Sequence, residues 1–360
     1  MREGWTYKNF EDCLVKAAKA KQVQTSEYNS GSKYPIISQE DKMVSGYCDD
    51  DSLLYHIDNP VVIFGDHTRV LKYVDFDFVV GADGVKILIP KEFLKAKFLL
   101  YYLRWYQVPS LGYSRHYKLL KEIVLPVPPI AEQERIVAEL DLLSGIIEKK
   151  KEQLKAYDQL AQSIFYTMFG DLLEANPTKN LKDVASYYIG LTYKPTDVSE
   201  QGTIVLRSSN IQNNILDFND IVRVNLNVGE NKTVKDGDIL MCARNGSARL
   251  VGKVARIRNI NEKMSFGAFM TIIRSEYNDF LFHFFLSDFF RSQLTTSKTA
   301  TINQITSRML DNIKLNVPPL SLQQEFAQKV EAIEQQKALV QQSIEETQTM
   351  FDCTMDKYFG

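Results

Sequence analysis

Between Ile136 and Met168 the apolar residues recur at alternating steps of four and three: Ile136, Leu140, Leu143, Ile147, Leu154, Tyr157, Ala161, Ile164 and Met168, with Lys150 in the seam. That is the spacing of a heptad seam rather than of a broad amphipathic stripe. The same frame returns as Phe326, Val330, Ile333, Val340, Ile344, Phe351 and Tyr358, interrupted by Lys337, Thr347 and Thr354. Two helices of ~39 residues are predicted, each ~58 Å long at 1.5 Å per residue. A narrow seam of this length has to be covered by another helix. Because one chain carries both, with a large segment between them, an intramolecular antiparallel pair is favoured over a dimerising coil. Lys150 and Lys337 are the polar seam positions able to set its register.

A proline pair precedes each helix, in "VPPIAEQERIV" (127–137) and "VPPLSLQQEFA" (317–327). Proline fixes φ and removes a backbone donor, so each pair ends one element and opens the next. Laying residue n on n + 190 extends the match. "LLKEIVLPVPPI" (119–130) falls on "MLDNIKLNVPPL" (309–320), Gln133 falls on Gln323, and "TMFG" falls on "KYFG". Upstream, "KFLLYYLRWY" resembles "DFLFHFFLSDFF", and "FEDC" resembles "LKDV", but at smaller offsets. The chain therefore reads as a duplication with divergent fronts and constant backs.

The fronts predict mixed α/β structure with short strands. "PVVIFGDHTRVLKYVDFDFVVGADGVKILIP" (60–90) and "KDGDILMCARNGSARLVGKVARI" (235–257) alternate β-rich runs with Gly-Asp and Asp-Gly turns. "GDHTR" and "ARNGSAR" read as loops that hold side chains at a surface.

Composition and charge narrow the function. With 44% hydrophobic and 24% charged residues the chain is globular. "FLFHFFLSDFF" is too short for a membrane span and reads as a buried helix. No signal-peptide core opens the sequence, and its four cysteines form no C-x-x-C, so a cytoplasmic protein without disulfides or zinc is expected. The net charge is −2, but unevenly spread. Residues 93–121 and 239–261 contain no acid, and carry Lys95, Lys97, Arg104, Arg115, Lys118 and Lys121, and Arg244, Arg249, Lys253, Arg256 and Arg258. One such window is an ordinary solvated face; one in each half points toward phosphate contact.

Catalytic signatures are missing. The sequence has no phosphate-cradling G-x-x-x-x-G-K-[ST] and no G-x-G-x-x-G, its four histidines form no i, i+4 ligand pair, and Asp66, Asp75, Asp77 and Asp83 lack a spaced lysine. A chain that performs no chemistry and holds no cofactor is expected.

Two divergent domains, each followed by an "I-x-L-x-V-P-P-[IL]" step, a glutamine four residues after the second proline and a long heptad helix ending in "FG", resemble the specificity (S) subunit of type I restriction–modification systems. "PVPPIAEQERIVAEL" is the most specific part; "GDILMCARNGS" and "TINQITSRML" match as pattern, and "LSLQQE" departs from the usual Ala-Glu-Gln. The resemblance implies an α+β fold with pseudo-two-fold internal duplication: two α/β target-recognition domains (1–126 and 171–316) separated by two long antiparallel coiled-coil helices (127–170 and 317–360). It implies a non-catalytic subunit that reads a bipartite target in double-stranded DNA across a non-specific spacer. Two methyltransferase (M) subunits would dock on it, and motor–nuclease (R) subunits would join through them. Side-chain chemistry then nominates Thr68, Arg69, Arg115, His116, Tyr117 and Lys118 in the first half. Arg207, Ser208, Arg244, Asn245, Ser247, Arg249 and Gln304 are their counterparts in the second. A coiled-coil adaptor that binds proteins, or the recognition module of a fused restriction enzyme, remains the competing reading.

Overall fold

The computed structural model describes residues 2–31, 33–112, 114–294 and 304–360. It falls into two units: Met1–Glu152 with Gln341–Gly360, and Gln153–Val340. The first holds β1 (Thr6–Asn9), β2 (Leu14–Val15), β3 (Gln22–Val23), β4 (Tyr34–Ile37), β5 (Gly46–Cys48), β6 (Leu54–Tyr55), β7 (Val61–Gly65), β8 (Leu71–Val74), β9 (Phe78–Gly81) and β10 (Val85–Pro90). Helices α1 (Ala96–Tyr106) and α2 (Tyr117–Leu120), strand β11 (Val124–Val127) and the start of α3 (Ile130–Glu174) follow. The β-rich runs of 60–90 form four strands, β7 to β10, and they divide between two sheets. One sheet runs β2-β10-β7-β8; the other joins β3, β9, β4 and β5, with β6 also on β9. Strand β1 pairs antiparallel with β11, Thr6 opposite Val127, which brings the chain to the proline step.

The second unit repeats this order. Its elements are β12 (Lys179–Asn180), β13 (Ser186–Ile189), β14 (Val198–Ser199), β15 (Thr203–Leu206), β16 (Ile211–Gln212), β17 (Ile215–Leu216), β18 (Arg223–Val224), β19 (Ile239–Cys242), β20 (Val254–Arg256), β21 (Met264–Phe266) and β22 (Met270–Arg274). Next come α4 (Asn278–Leu286), α5 (Asp288–Leu294), α6 (Ser307–Asp311), β23 (Lys314–Leu315) and α7 (Leu320–Phe359). The sheet β13-β22-β19-β20 copies β2-β10-β7-β8, and the parallel pair β15–β21 copies β4–β9. β12 pairs with β23 ahead of the second proline step, as β1 does with β11. The aromatic run at 279–290 is two helices rather than one. The Ser287 hydroxyl donates to Phe284 O and accepts from Phe290 N, so it closes α4 and caps α5. Among the described residues no helix is long and apolar enough to cross a membrane.

The repeated glutamine explains the proline step. Gln133 is fully buried; its amide donates to Phe93 O (2.8 Å) and Pro128 O (2.9 Å) and accepts from Lys95 N (2.8 Å) at the start of α1. Gln323 likewise donates to Pro318 O at 2.7 Å. Each side chain satisfies a carbonyl that the prolines leave without a local donor.

Each unit's core uses part of both long helices. In the first, Ile136 and Leu140 of α3 and Met355, Tyr358 and Phe359 of α7 pack with Phe98 to Leu103 of α1. Arg135 and Glu139 meet the Tyr358 hydroxyl at 3.0 and 2.6 Å, while Lys150 donates to Ser343 O, Ser343 Oγ and Thr347 Oγ1 at 2.6–3.0 Å, so within this unit the two strands of the seam run in opposite senses. In the second, Phe165 and Phe169 of α3 surround Phe326 of α7 and Phe280 of α4, and Lys337 donates to Asp158 at 2.8 Å. One seam expectation fails here. Phe165 and Phe169 are the buried positions rather than Ile164 and Met168. After Ala161 the steps are all four residues, which turns the apolar face toward the large Phe280–Phe284 cluster.

Candidate nucleic-acid interface

Four segments meet at the same place in each unit: the turn after β4 or β15, the hairpin turn after β7 or β19, the turn between β9 and β10 or β21 and β22, and the loop entering α2 or α6. In the first unit Asp66 N donates to Gly84 O, and His116 N donates to Asp66 O. In the second, Ala243 N donates to Phe269 O, and Ile305 N donates to Ala243 O. The backbone scheme is the same, and the side chains it carries are not.

In the first unit Thr68 Oγ1 donates to Gln39 O at 2.6 Å, and His67 N donates to Gln39 Oε1 at 3.1 Å, so Gln39 joins the strand-end turn to the hairpin. Gly84, at φ 88°, leaves the space: a Cβ there would lie 2.8 Å from Gln39 Oε1 and 2.9 Å from the His67 ring. Beneath, Lys72 is buried and donates to Ser38 O at 2.9 Å and to Lys42 O. Burial pulls its pKa down, against the opposing pull of Glu40 and Asp41. Arg69 is exposed at φ 63°, its guanidinium on Val108 O at 3.0 Å.

Arg115 and Lys118 are exposed beside this turn, but His116 and Tyr117 are turned inward. His116 is fully buried: Nδ1 pairs with Asp66 O at 2.9 Å and Nε2 accepts from Leu111 N at 2.9 Å, so the ring staples the loop to the hairpin. Asp66 completes the staple by accepting from Tyr117 N at 2.7 Å, and the Tyr117 ring packs edge-on against Phe10. The expectation that His116 faces a ligand is corrected by its burial; Tyr117 is half-buried, its ring packed near Phe10 and Phe64.

In the second unit Arg207 reaches Asp220 at 2.7 Å and Asn245 donates to Ser208 Oγ at 3.1 Å, joining the strand-end turn to the hairpin as Gln39 does. Asn245 Oδ1 also accepts from Ser247 N at 2.9 Å. Arg244, Ser247 and Arg249 are exposed on the hairpin loop, and Gln304 bridges Arg244. Residues 301–303 of "TINQITSRML" lie outside the described residues. A cleft of about 590 Å³ lies between these turns, lined by Tyr193, Arg207, Ser208, Ser209 and Phe269 among others. Sequence reasoning missed Gln39 and Phe269: each is a single residue at a strand end, and only strand register places it at the site.

Exposed guanidiniums, hydroxyls and an open aromatic, set on turns over rigid sheets, are suited to phosphate and base-edge contact. The sequence pattern described as the type I restriction modification DNA specificity domain matches twice, at residues 2–156 and 174–348. The type I restriction enzyme EcoKI specificity subunit of Escherichia coli K12 is 31% identical over 173 residues, which are 46% of this chain and 37% of that one. The MjaVIII specificity subunit of Methanocaldococcus jannaschii is 25% identical over 242 residues, 60% of this chain and 56% of its own. The matched stretches thus span less than two thirds of either relative. In fold, the type I restriction-modification S subunit from M. genitalium aligns over 99% of this chain and 96% of its own, with a TM-score of 0.53 at 15% identity.

Proposed function

Since the chain belongs to the type I restriction–modification DNA specificity family, we propose that it is the non-catalytic specificity subunit of such a system. It acts in the cytoplasm and reads a split target in double-stranded DNA, one half with each unit. Functionally, residues 1–126 and 171–316 are the readers, and 127–170 and 317–360 the helices that pair antiparallel as a coiled coil between them. Two M subunits dock on the chain, bring the methyl donor and the chemistry, and carry the R subunits.

The observation that supports this reading is the repeated four-segment platform, one scaffold carrying two different sets of side chains. A protein that reads two unlike half-sites needs that combination: constant backbone positions and variable contacts. Thr68, Arg69, Arg115 and Lys118 serve the first half, with His116 and Tyr117 positioning them. Arg207, Ser208, Arg244, Ser247, Arg249 and Gln304 serve the second, with Asn245 fixing the hairpin.

The test is a map of methylated adenines in cells carrying the chain with its cognate methyltransferase. A split motif with an unread gap of fixed length is expected, and Arg69→Ala and Arg115→Ala should degrade one half only. A continuous motif, or loss of both halves together from these substitutions, would sink the two-reader proposal.

A further inference from the structure

Most arginines of the second unit's sheets are held by acids, whereas the two on the hairpin loop, Arg244 and Arg249, are exposed, and of those two Arg244 lies against a ring. Arg207, Arg223, Arg256, Arg258 and Arg274 each hold a carboxylate, of Asp220, Glu262, Asp279, Glu331 and Asp238. Arg244 is exposed and, among the described residues, pairs with no carboxylate; its guanidinium carbon lies over the Phe269 ring, 5.2 Å from the centroid. The pair is fixed from below, because Phe269 O accepts from both Ala243 N (2.9 Å) and Arg244 N (3.0 Å). Phe269 is 58% exposed, on the wall of the 590 Å³ cleft. Water-facing phenylalanines are unremarkable singly. One clamped by its backbone under a guanidinium that, among the described residues, holds no carboxylate is a pre-formed contact surface.

Resting on the DNA-reading role proposed above, we infer that Arg244 is the guanine reader of the second half-site, and that Phe269 orients its guanidinium and packs on the methyl of a neighbouring thymine. The fork of an arginine matches the O6 and N7 acceptors of guanine in the major groove, a fit that lysine cannot make bidentately. Resting the guanidinium on a ring restricts it before DNA arrives, so less freedom is lost on binding. Phenylalanine has no hydrogen-bonding group, so the feature it reads is the thymine methyl. Asn245, the obvious adenine reader by residue type, is engaged at both ends of its amide by Ser208 and Ser247. Of the two exposed arginines on this loop, Arg244 and Arg249, the one pre-oriented on a ring is Arg244, and the guanine contact is assigned to it.

The experiment places the change in the DNA as well as in the protein. The wild-type split target is mapped first, and affinity is then measured for the chain in complex with its methyltransferase. The second-half guanine is replaced by 7-deazaguanine, which lacks N7, or the adjacent thymine by uracil, which lacks the methyl. The wild type should lose roughly five- to tenfold on 7-deazaguanine, within the discrimination of a bidentate contact. Arg244→Ala should lose at least as much on natural DNA and be indifferent to N7. Arg244→Lys should bind while accepting other bases at that position. Phe269→Ala should no longer distinguish thymine from uracil. A second half-site without guanine, an Arg244→Ala chain still sensitive to N7, or a Phe269→Ala chain with the wild-type response to uracil overturns the assignment alone. A wild-type chain that directs no split methylation overturns the DNA reading and the assignment with it.

Discussion

Arg69 and Gly252 occupy the same place in the two hairpins. Arg69 N donates to Gly65 O at 2.7 Å and Gly252 N to Cys242 O at 2.9 Å, and both residues have left-handed backbones, φ 63° and 84°. Glycine adopts that conformation freely, whereas a residue with a Cβ is held there at a cost of about 1 kcal/mol. An arginine retained at such a position fits a contact role. Arg69→Gly is expected to be about 1 kcal/mol more stable than Arg69→Ala, because both lose the bond to Val108 O and only glycine relaxes the turn. Urea denaturation of the two variants checks the difference, and equal midpoints would remove the strain argument.

Lys118 stands exposed on α2, beside the His116–Asp66 staple. A flexible ammonium there suits a phosphate rather than a base. Lys118→Ala should weaken DNA binding evenly across sequences and flatten the slope of log K against log salt by about 0.9. Binding measured over a series of salt concentrations, on cognate and scrambled duplexes, tests both parts. A change in sequence preference would reassign Lys118 to base reading.

The two proline steps differ in what depends on their glutamine. Removing the Gln133 side chain leaves Lys95 N, Phe93 O and Pro128 O without their partner, whereas Gln323 serves Pro318 O. Gln133→Ala is expected to cost about 2–4 kcal/mol and Gln323→Ala about 1–2 kcal/mol, from the penalty for unsatisfied buried groups. Equal losses in denaturant titrations would contradict this accounting.

His283 supplies a pH signature. Burial among Phe165, Phe282 and Phe326, with Arg256 and Lys337 nearby, holds its pKa down to about 3. Between that value and the ordinary 6.5 the unfolded chain binds a proton that the folded one refuses. Stability is therefore intact above pH 6.5 and falls with acidification, by up to about 1.4 kcal/mol per pH unit. From pH 7 to pH 5 the wild type should lose about 2 kcal/mol more than His283→Phe, which keeps an aromatic ring but cannot titrate. Parallel pH profiles for the two proteins would exclude His283 as the source.

The long helices and their proline steps were legible because a heptad period and a 190-residue repeat are properties of the chain itself. The shift from Ile164 to Phe165 was not, since it depends on how wide a face Phe280 and Phe284 present to α3. At the site, Arg69, Arg115, Arg244 and Arg249 stand exposed on loops, as their polar surroundings in the sequence imply. His116 does not: "SRHYK" is polar throughout, and only the folded hairpin supplies the Asp66 carbonyl that draws the ring inside. Gln39 and Phe269 carry no pattern at all. Their significance comes from the parallel pairing of β4 with β9 and of β15 with β21, a long-range register that local periodicity does not encode.

The first unit is assembled from sequence that is far apart, and the second is not. Trp105 donates to Asp356 at 2.9 Å and Phe98 meets Phe359 edge-on at 5.4 Å, contacts that close loops of roughly 250 residues. Gln153–Val340 is one uninterrupted stretch. During synthesis the second unit can complete its core while the first still waits for residues 341–360, so the order of maturation is the reverse of the order of translation. A chain cut short near Val340 would therefore damage the unit made first and spare the unit that immediately precedes the cut.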